Sequence, residues 1–323
     1  MQTNKRPERR VGISIPLKHQ KVINLKLCEG RVAVITGAGR GMGRAYALML
    51  AEHGASIVIN DRGTAPDGSG SNVSPAEEVA QAIHAMGGKA VVNTADVTDW
   101  KASEAMVQQA VDTFGRLDIL INNAGILRDR MLWNLTEEDW DSVINVHLKG
   151  TFLPLRHAAN YWRLQAKQGK SVDARVINTT SHSGLFCNVG QTNYAAAKAG
   201  IASMTIVAAR ELGRSGVTVN AICPRANTRL TEGLAQWTPE QIERRQPIWT
   251  AALVTWLCSP EAKSISGRVF ESSGYGYTVA ESWQHGATTP ASKDPTQISA
   301  AVLDIVGKSR KNAGIELNTW FDP

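Results

Sequence analysis

The chain has 323 residues, 43% of them hydrophobic, enough to bury a sizeable core as one large domain or two small ones. No apolar run reaches the eighteen residues of a membrane span, and residues 1–28 lack the continuous apolar stretch of a secretory signal. The formal charge of +6 does not point to nucleic acid: residues 1–28 hold seven Lys/Arg against Glu8 alone, and taking these from the 35 basic and 29 acidic residues leaves the two signs equal.

That basic leader is expected to be a disordered, solvated tail. Beyond it, short Val/Ile-rich runs alternate with helical patterns. Arg31–Thr36, Ala55–Asn60, Lys89–Asn93, Asp118–Asn122, Arg175–Asn178, Val217–Ile222 and Arg268–Phe270 read as strands buried on both faces. Residues 41–53, 75–86, 100–114 and 193–213 read as helices. Ser74-Pro75 offers a cap followed by an N1 proline, and Thr136 with Asp139 a capping box. Such alternation predicts an α/β fold, a Rossmann-type doubly wound parallel sheet of about seven strands with helices on both faces. Residues 29–280 are the expected catalytic domain. Residues 62–74 form a Gly/Ser-rich insertion, and 281–323 a polar extension expected to pack on the domain or on a neighbouring subunit. Cys28, Cys187, Cys223 and Cys258 have neither zinc nor disulfide spacing; they imply no metal site and suggest reduced thiols of a cytoplasmic protein.

Three stretches carry chemistry. Thr36-Gly-Ala-Gly-Arg-Gly-Met-Gly43 follows the first strand and opens the first helix. Gly37, Gly41 and Gly43, with Arg40 and Met42 between them, allow a tight turn and close approach of a pyrophosphate to the helix N-terminus. Asp61 closes the second strand, where a carboxylate accepts from ribose hydroxyls and repels a 2′-phosphate. This favours NAD, although Arg40 and Arg62 are both placed to pair with such a phosphate and keep NADP open. Tyr194 and Lys198 lie one helical turn apart, so an ammonium beside the phenol is expected to lower its pKa from the usual ~10. Ser181 precedes the tyrosine by thirteen residues.

Taken in order, these motifs resemble the short-chain dehydrogenase/reductase family over roughly residues 30–280. Asp96-Val97 resembles its adenine-contacting pair and Asn122-Asn123-Ala124-Gly125 its NNAG strand end. Asn145, Ser181, Tyr194 and Lys198 fall where its catalytic tetrad lies. The resemblance implies that Tyr194 exchanges the proton of a carbinol hydroxyl while nicotinamide exchanges the hydride. It also implies that Lys198 holds the nicotinamide ribose, Ser181 holds the reacting oxygen, and Asn145 fixes a water that relays protons to the lysine. Asn123 and Thr228 complete the implied cofactor contacts. The chain departs from the family where Pro224 is followed by Arg225 instead of glycine, which leaves Thr228 one residue early.

Asn123-Ala-Gly-Ile-Leu-Arg-Asp-Arg130, Val146-His-Leu-Lys-Gly150 and Asn188-Val-Gly-Gln-Thr-Asn-Tyr194 resemble the branch containing the dehydrogenase unit of peroxisomal multifunctional enzyme type 2 and related actinobacterial members. That branch acts on hydroxysteroids or 3-hydroxyacyl-CoA thioesters, and Leu234, Trp237, Ile248 and Trp249 in the segment 230–250 suit a greasy alcohol or ketone. A homodimer or homotetramer is implied as well. The rival readings are an NADPH-dependent 3-oxoacyl reductase on the same scaffold and a non-catalytic dinucleotide sensor, which would have no need of Tyr194 and Lys198.

Overall fold

The structure, a computed structural model, describes residues 26–228, 237–291, 298–310, 312–315 and 320–321. Most of the expected leader, residues 1–25, and Leu234 of the greasy segment lie outside the described residues. Eight short strands make one sheet: β1 (Val32–Thr36), β2 (Ser56–Asn60), β3 (Lys89–Asn93), β4 (Ile119–Asn122), β5 (Ala174–Thr179), β6 (Val217–Pro224), β7 (Val269–Ser273) and β8 (Gly276–Ala280). Their order is β3-β2-β1-β4-β5-β6-β7-β8, parallel throughout except for the β7–β8 hairpin. The seven expected strands are therefore present, and an eighth joins the edge through the two-residue turn Gly274-Tyr275.

The helices interleave as α1 (Gly41–Glu52), α2 (Ser74–Ala85), α3 (Trp100–Phe114), α4 (Glu137–Ile144), α5 (Gly150–Lys167), α6 (His182–Phe186), α7 (Thr192–Leu212), α8 (Pro239–Arg244), α9 (Pro247–Leu257) and α10 (Ser299–Lys308). A two-residue ribbon, β9 (Asn312–Ala313) with β10 (Trp320–Phe321), follows. Strand side chains alternate between faces, so β1 serves two cores at once. Ala33 and Ile35 pack with Tyr46 and Leu50 of α1, Ile83 of α2 and Leu257 of α9. Val32 and Val34 pack with Met106 of α3 and with Leu155 and Trp162 of α5 on the opposite face. Burial on both faces is why these strands read as continuous Val/Ile runs.

Local chemistry sets the helix ends. The Thr136 hydroxyl accepts from Asp139 N while Asp139 accepts from Thr136 N, closing the expected capping box of α4. Ser74 is the first residue of α2 rather than its cap; the Asn72 side chain instead accepts from Ser74 N. Between α4 and α5 the chain makes a π-helical turn, Asn145–Lys149. This is one residue per turn more than an α-helix supplies, and it changes which side chains point inward. The strand order reverses direction between β1 and β4. Outside the carboxyl ends of strands at such a switch point lies the crevice where doubly wound sheets bind ligands.

Candidate active site

The carboxyl ends of the strands carry a rim of polar side chains. The Asn60 amide donates to Asn93 Oδ1 and Ala95 O, that of Asn122 to Asn178 Oδ1, and that of Asn178 to the Thr205 hydroxyl. In front of this rim runs a cleft open to solvent. Its floor is the glycine turn. Gly37 has φ 63°, and a Cβ there would sit 2.9 Å from Ala124 Cα; a Cβ on Gly43 would meet Gly37 O at 2.1 Å. Both positions therefore require glycine. Asn123 locks the turn by donating its amide to Thr36 O and Gly37 O. Helix α1 begins at Gly41 with no side-chain cap from Arg40, so its first N–H groups remain for an anion.

Of the expected cofactor contacts, Gly37, Arg40, Gly41, Met42, Asp61, Asp96, Val97, Asn123 and Thr228 line the cleft, and Tyr194 and Lys198 are not among its lining residues. Gly43 packs beneath the turn. The fit to a dinucleotide rests on this cradle: bare backbone, an uncapped helix N-terminus and a carboxylate at the second strand. Asp61 also has a structural task, since Oδ2 accepts from Gly39 N at 2.7 Å and Oδ1 from Gly63 N at 2.6 Å. Arg62 forms an ion pair with Asp96. Sequence reading missed Thr64 and Gly68, which bring the insertion 62–74 to the cleft wall. Pro66 O accepts from Leu127 N and Asp67 O from Arg128 Nε, pinning the insertion to the loop after β4. Arg128 and Arg130, in the loop after β4, are paired with Glu138 and Asp139.

Tyr194, Ser181 and Lys198 meet where α6 lies on α7. Gly184 permits that contact, because a Cβ there would lie 2.6 Å from backbone and side-chain atoms of Lys198. The Ser181 hydroxyl lies close enough to the Tyr194 phenol to favour its ionised form. Lys198 is almost fully buried, donates from Nζ to Thr179 O at 2.7 Å, and stands 5.5 Å from the centre of the tyrosine ring. The energetics differ from the sequence expectation. Tyr194 keeps some accessible surface yet is densely surrounded, and burial pushes its phenol up to about 12 while Ser181 pulls the other way. Burial also lowers the Lys198 ammonium to about 7. Desolvation opposes both charged forms and outweighs the attraction between them.

Asn145 is not brought to these three. It opens the π-helical turn with its side chain exposed, and no hydrogen bond joins it to Ser181, Tyr194 or Lys198 among the described residues. His147, two residues on, is buried in its stead, with its ring edge-to-face on Tyr194 at 5.0 Å between centres. A lone histidine in a helical pattern carries no spacing signal. The one available hint was Gly125, whose missing side chain makes room for the imidazole: a Cβ there would lie 2.4 Å from His147 Cε1.

Beyond the tetrad, Arg225 occupies the position of the absent glycine and donates to His182 Nε2, which lies 2.9 Å from Glu271. It also donates to Ile315 O, tying the C-terminal extension to the end of β6. Trp237 lies under the Arg245 guanidinium at 3.7 Å, Trp249 donates to Glu243 O, and Ile248 is exposed. Among the described residues no helix is long and apolar enough to cross a membrane.

The chain is similar to known proteins over most of its length. A hydroxyacyl-CoA dehydrogenase, ChsB1 of Mycobacterium tuberculosis, is 44% identical over 85% of this chain and 88% of its own. Mouse peroxisomal multifunctional enzyme type 2 is 42% identical over 79% of this chain, which spans 33% of that larger protein. The crystal structure of a short chain dehydrogenase from Mycobacterium avium, 48% identical, superposes with a TM-score of 0.81 over 89% of this chain and 98% of that one. The family model for short chain dehydrogenases matches residues 31–240. The chain belongs to that family, the short-chain dehydrogenases, oxidoreductases that act on CH–OH groups with a nicotinamide dinucleotide.

Proposed function

We propose that the protein is an NAD-dependent dehydrogenase that interconverts a secondary alcohol and a ketone on a hydrophobic substrate, a 3-hydroxyacyl-CoA thioester in preference to a hydroxysteroid. The observation that carries this reading is the cluster of Ser181, Tyr194 and the buried Lys198, linked through His147 and Gly125 to a glycine-floored cleft. Bound nicotinamide would supply the hydride acceptor. The protein's share is to hold the alcohol oxygen between the Ser181 hydroxyl and Tyr194 Oη, and to take the alcohol's proton on that oxygen. Lys198 supplies positive charge beside the developing phenolate. The names of the relatives support the acyl-thioester class, and the position of Asp61 supports NAD.

We also propose a homodimer or homotetramer, supported by apolar side chains left at the surface around α4 and α5: Trp133 at 76%, and Trp140 and Phe152. A monomeric mass by light scattering would remove that part. A cytoplasmic compartment is supported by three buried free thiols, Cys28, Cys223 and Cys258. The deciding experiment is oxidation of 3-hydroxyacyl-CoAs and steroid alcohols with NAD and with NADP, followed by the absorbance of reduced nicotinamide. Turnover of the thioesters with NAD is expected. Preference for NADPH and the 3-oxo compounds would replace this reading with a biosynthetic reductase, and nucleotide binding without turnover of any alcohol would replace it with a sensor.

A further inference from the structure

The insertion after β2 is built to cross the cleft. Gly63 is buried with φ 66°, and Asn72 N donates back to Arg62 O at 3.1 Å, so the segment leaves the second strand and returns to the same point. Its tip is closed on itself: Ala65 N donates to Ser69 O at 2.8 Å, Gly68 N donates to Ala65 O at 3.0 Å, and the Asp67 carboxylate accepts from Ser69 N and the Ser69 hydroxyl. The tip rests on the opposite wall. Leu127 N donates to Pro66 O at 3.0 Å and Arg128 Nε to Asp67 O at 3.2 Å, while Gly68 lies so near Ile126 that a Cβ would stand 3.3 Å from its Cγ2. That wall is firm, since Arg128 is paired with Glu138 and its carbonyl accepts from the buried Asn193 amide. In the sheet β2 and β4 flank β1, so a segment that leaves β2 and rests on the loop after β4 spans the carboxyl end of β1, where the glycine turn lies. Thr64 and Gly68, on its half-buried inner edge, line the cleft, whereas Pro66, Asp67 and residues 69–72 face solvent.

We propose that the insertion 62–74 is a strap of the cofactor site: its inner edge holds the adenosine half of NAD in the cleft and slows release of the dinucleotide. The inference rests on the reading of the cleft as an NAD site. Sheet order assigns the half. Ser181, Tyr194 and Lys198, where nicotinamide reacts, follow β5 and lie on α7, beyond β4. The insertion, Asp61 and Asp96 follow β2 and β3 on the other side of β1, so the half of the cofactor beside them takes no part in the chemistry. The strap's chemistry suits a nucleoside better than another phosphate. Its inner edge, Thr64, Ala65 and Gly68, carries no charge, and the Asp67 carboxylate is turned to Ser69 and solvent. A small hydroxyl side chain and bare glycine backbone match the hydroxyls and ring edge of adenosine. Because the rest of the cleft is open, entry is left unhindered and the strap acts on release, the step through which affinity is most often tuned.

Two variants loosen the strap by different means. In the full chain, Gly68→Ala sets a methyl group against Ile126 at a residue with φ 92°, where a side chain is strained, and so unseats the tip from the opposite wall. The second variant removes the strap and keeps its base. Deleting residues 64–70 leaves Arg62-Gly63-Ser71-Asn72, a four-residue turn whose closing bond from Asn72 N to Arg62 O is already made and whose second residue is a glycine with positive φ. The bond from Gly63 N to Asp61 and the Arg62–Asp96 pair are retained. Release of NADH is followed by stopped-flow fluorescence as excess NAD displaces it, and affinities by calorimetry. We expect release about threefold faster in Gly68→Ala and about tenfold faster in the deletion variant, with Kd rising by the same factors and the association rate within about twofold of wild type. ADP-ribose should weaken in parallel with NADH, whereas nicotinamide mononucleotide should bind both variants as it binds the wild type. A deletion variant that releases NADH at the wild-type rate overturns the proposal. So does one that loses nicotinamide mononucleotide as heavily as ADP-ribose, because the damage would then lie in the cleft as a whole. None of these measurements uses an alcohol, so a wrong substrate class leaves them decisive. A wild type that binds no NADH removes the cofactor reading first, and this inference falls with it.

Discussion

The amino end of the sheet and the Tyr194–Lys198 corner of its carboxyl end handle buried charge in opposite ways. At the amino end, Asp173 bridges Arg31 and Arg175, and Asp118 accepts from Val32 N and from the fork of Arg116. Burial alone would raise the Asp173 carboxyl, but the two guanidinium groups outweigh it and hold it below its usual range. Each of these charges has an opposite. At the carboxyl end, Lys198 is buried with a single carbonyl, Thr179 O, and no carboxylate within ion-pair distance among the described residues. His147 and Tyr194 beside it are likewise pushed toward their neutral forms by burial. Groups paired internally hold the fold together, whereas groups left ready for a partner are where chemistry is expected.

Tyr194→Phe should break the comparison most sharply. The ring and its contact with His147 remain and only the hydroxyl is lost, so kcat is expected to fall by about 10²–10⁴-fold while NAD affinity and Tm hold. A variant that keeps most of its kcat would remove Tyr194 from the acid–base role. Lys198→Met should be nearly as damaging to turnover, yet stabilising. In the folded protein the ammonium titrates at about 7 instead of 10.5. Below about 7 the folded state must hold an unwanted charge, and the penalty is present in full. Between about 7 and 10.5 the unfolded chain binds the extra proton, so the penalty is relieved as pH rises. The drop corresponds to on the order of 5 kcal/mol. Urea unfolding should therefore show the Met variant more stable than wild type near pH 6, with the gap narrowed by most of its size at about pH 9.5 and closed only near 10.5. A gap of constant size would show that Lys198 is not desolvated in the folded state.

The amino end should respond in the opposite sense. Asp173→Ala leaves Arg31 and Arg175 buried without their shared carboxylate. Because Asp173 itself is 44% exposed, the loss should be about 2 kcal/mol, below the 3–5 typical of a fully buried pair. The kcat of the remaining folded protein should not change. A loss of kcat without a loss of stability would show that the two ends are coupled through the sheet.

How much of this was legible in the chain follows from what each feature depends on. The seven parallel strands were, because burial on both faces, nearly complete in all but the edge strand β3, selects Val and Ile whatever their neighbours. Strand β8 was not: Gly-Tyr-Thr-Val-Ala is mostly exposed, and it is a strand because β7 offers it an edge. The glycine turn, Ser181, Tyr194 and Lys198 were legible as spacings within one turn or one helix. His147 was not, because a π-helical turn shifts the inward face by an amount that no helical repeat announces. The direction of the tyrosine shift was also hidden. A lysine four residues away is visible in the sequence, but the desolvation that overrides it exists only once α6, α7 and the loop after β4 have closed around the ring.

The smallest expected effect concerns cofactor choice, and the structure changes how it should be tested. Asp61 repels a 2′-phosphate, but the same carboxylate holds Gly39 N and Gly63 N, so Asp61→Ala would loosen the glycine turn as well as remove the charge. Asp61→Asn keeps an oxygen for one of those bonds and isolates the charge. Arg62 is already paired with Asp96, which leaves Arg40, at the cleft wall, as the guanidinium expected to meet a 2′-phosphate. The wild type should prefer NAD. Asp61→Asn should shift the NADP-to-NAD ratio of kcat/KM by about tenfold toward NADP, the effect of removing one partly screened charge. Adding Arg40→Ala should take back most of that shift. If the double variant keeps the full gain, the phosphate is held by backbone N–H groups alone. A wild type that already prefers NADP would mean that Arg40 outweighs Asp61, and the carboxylate would then be there for the turn and not for the ribose.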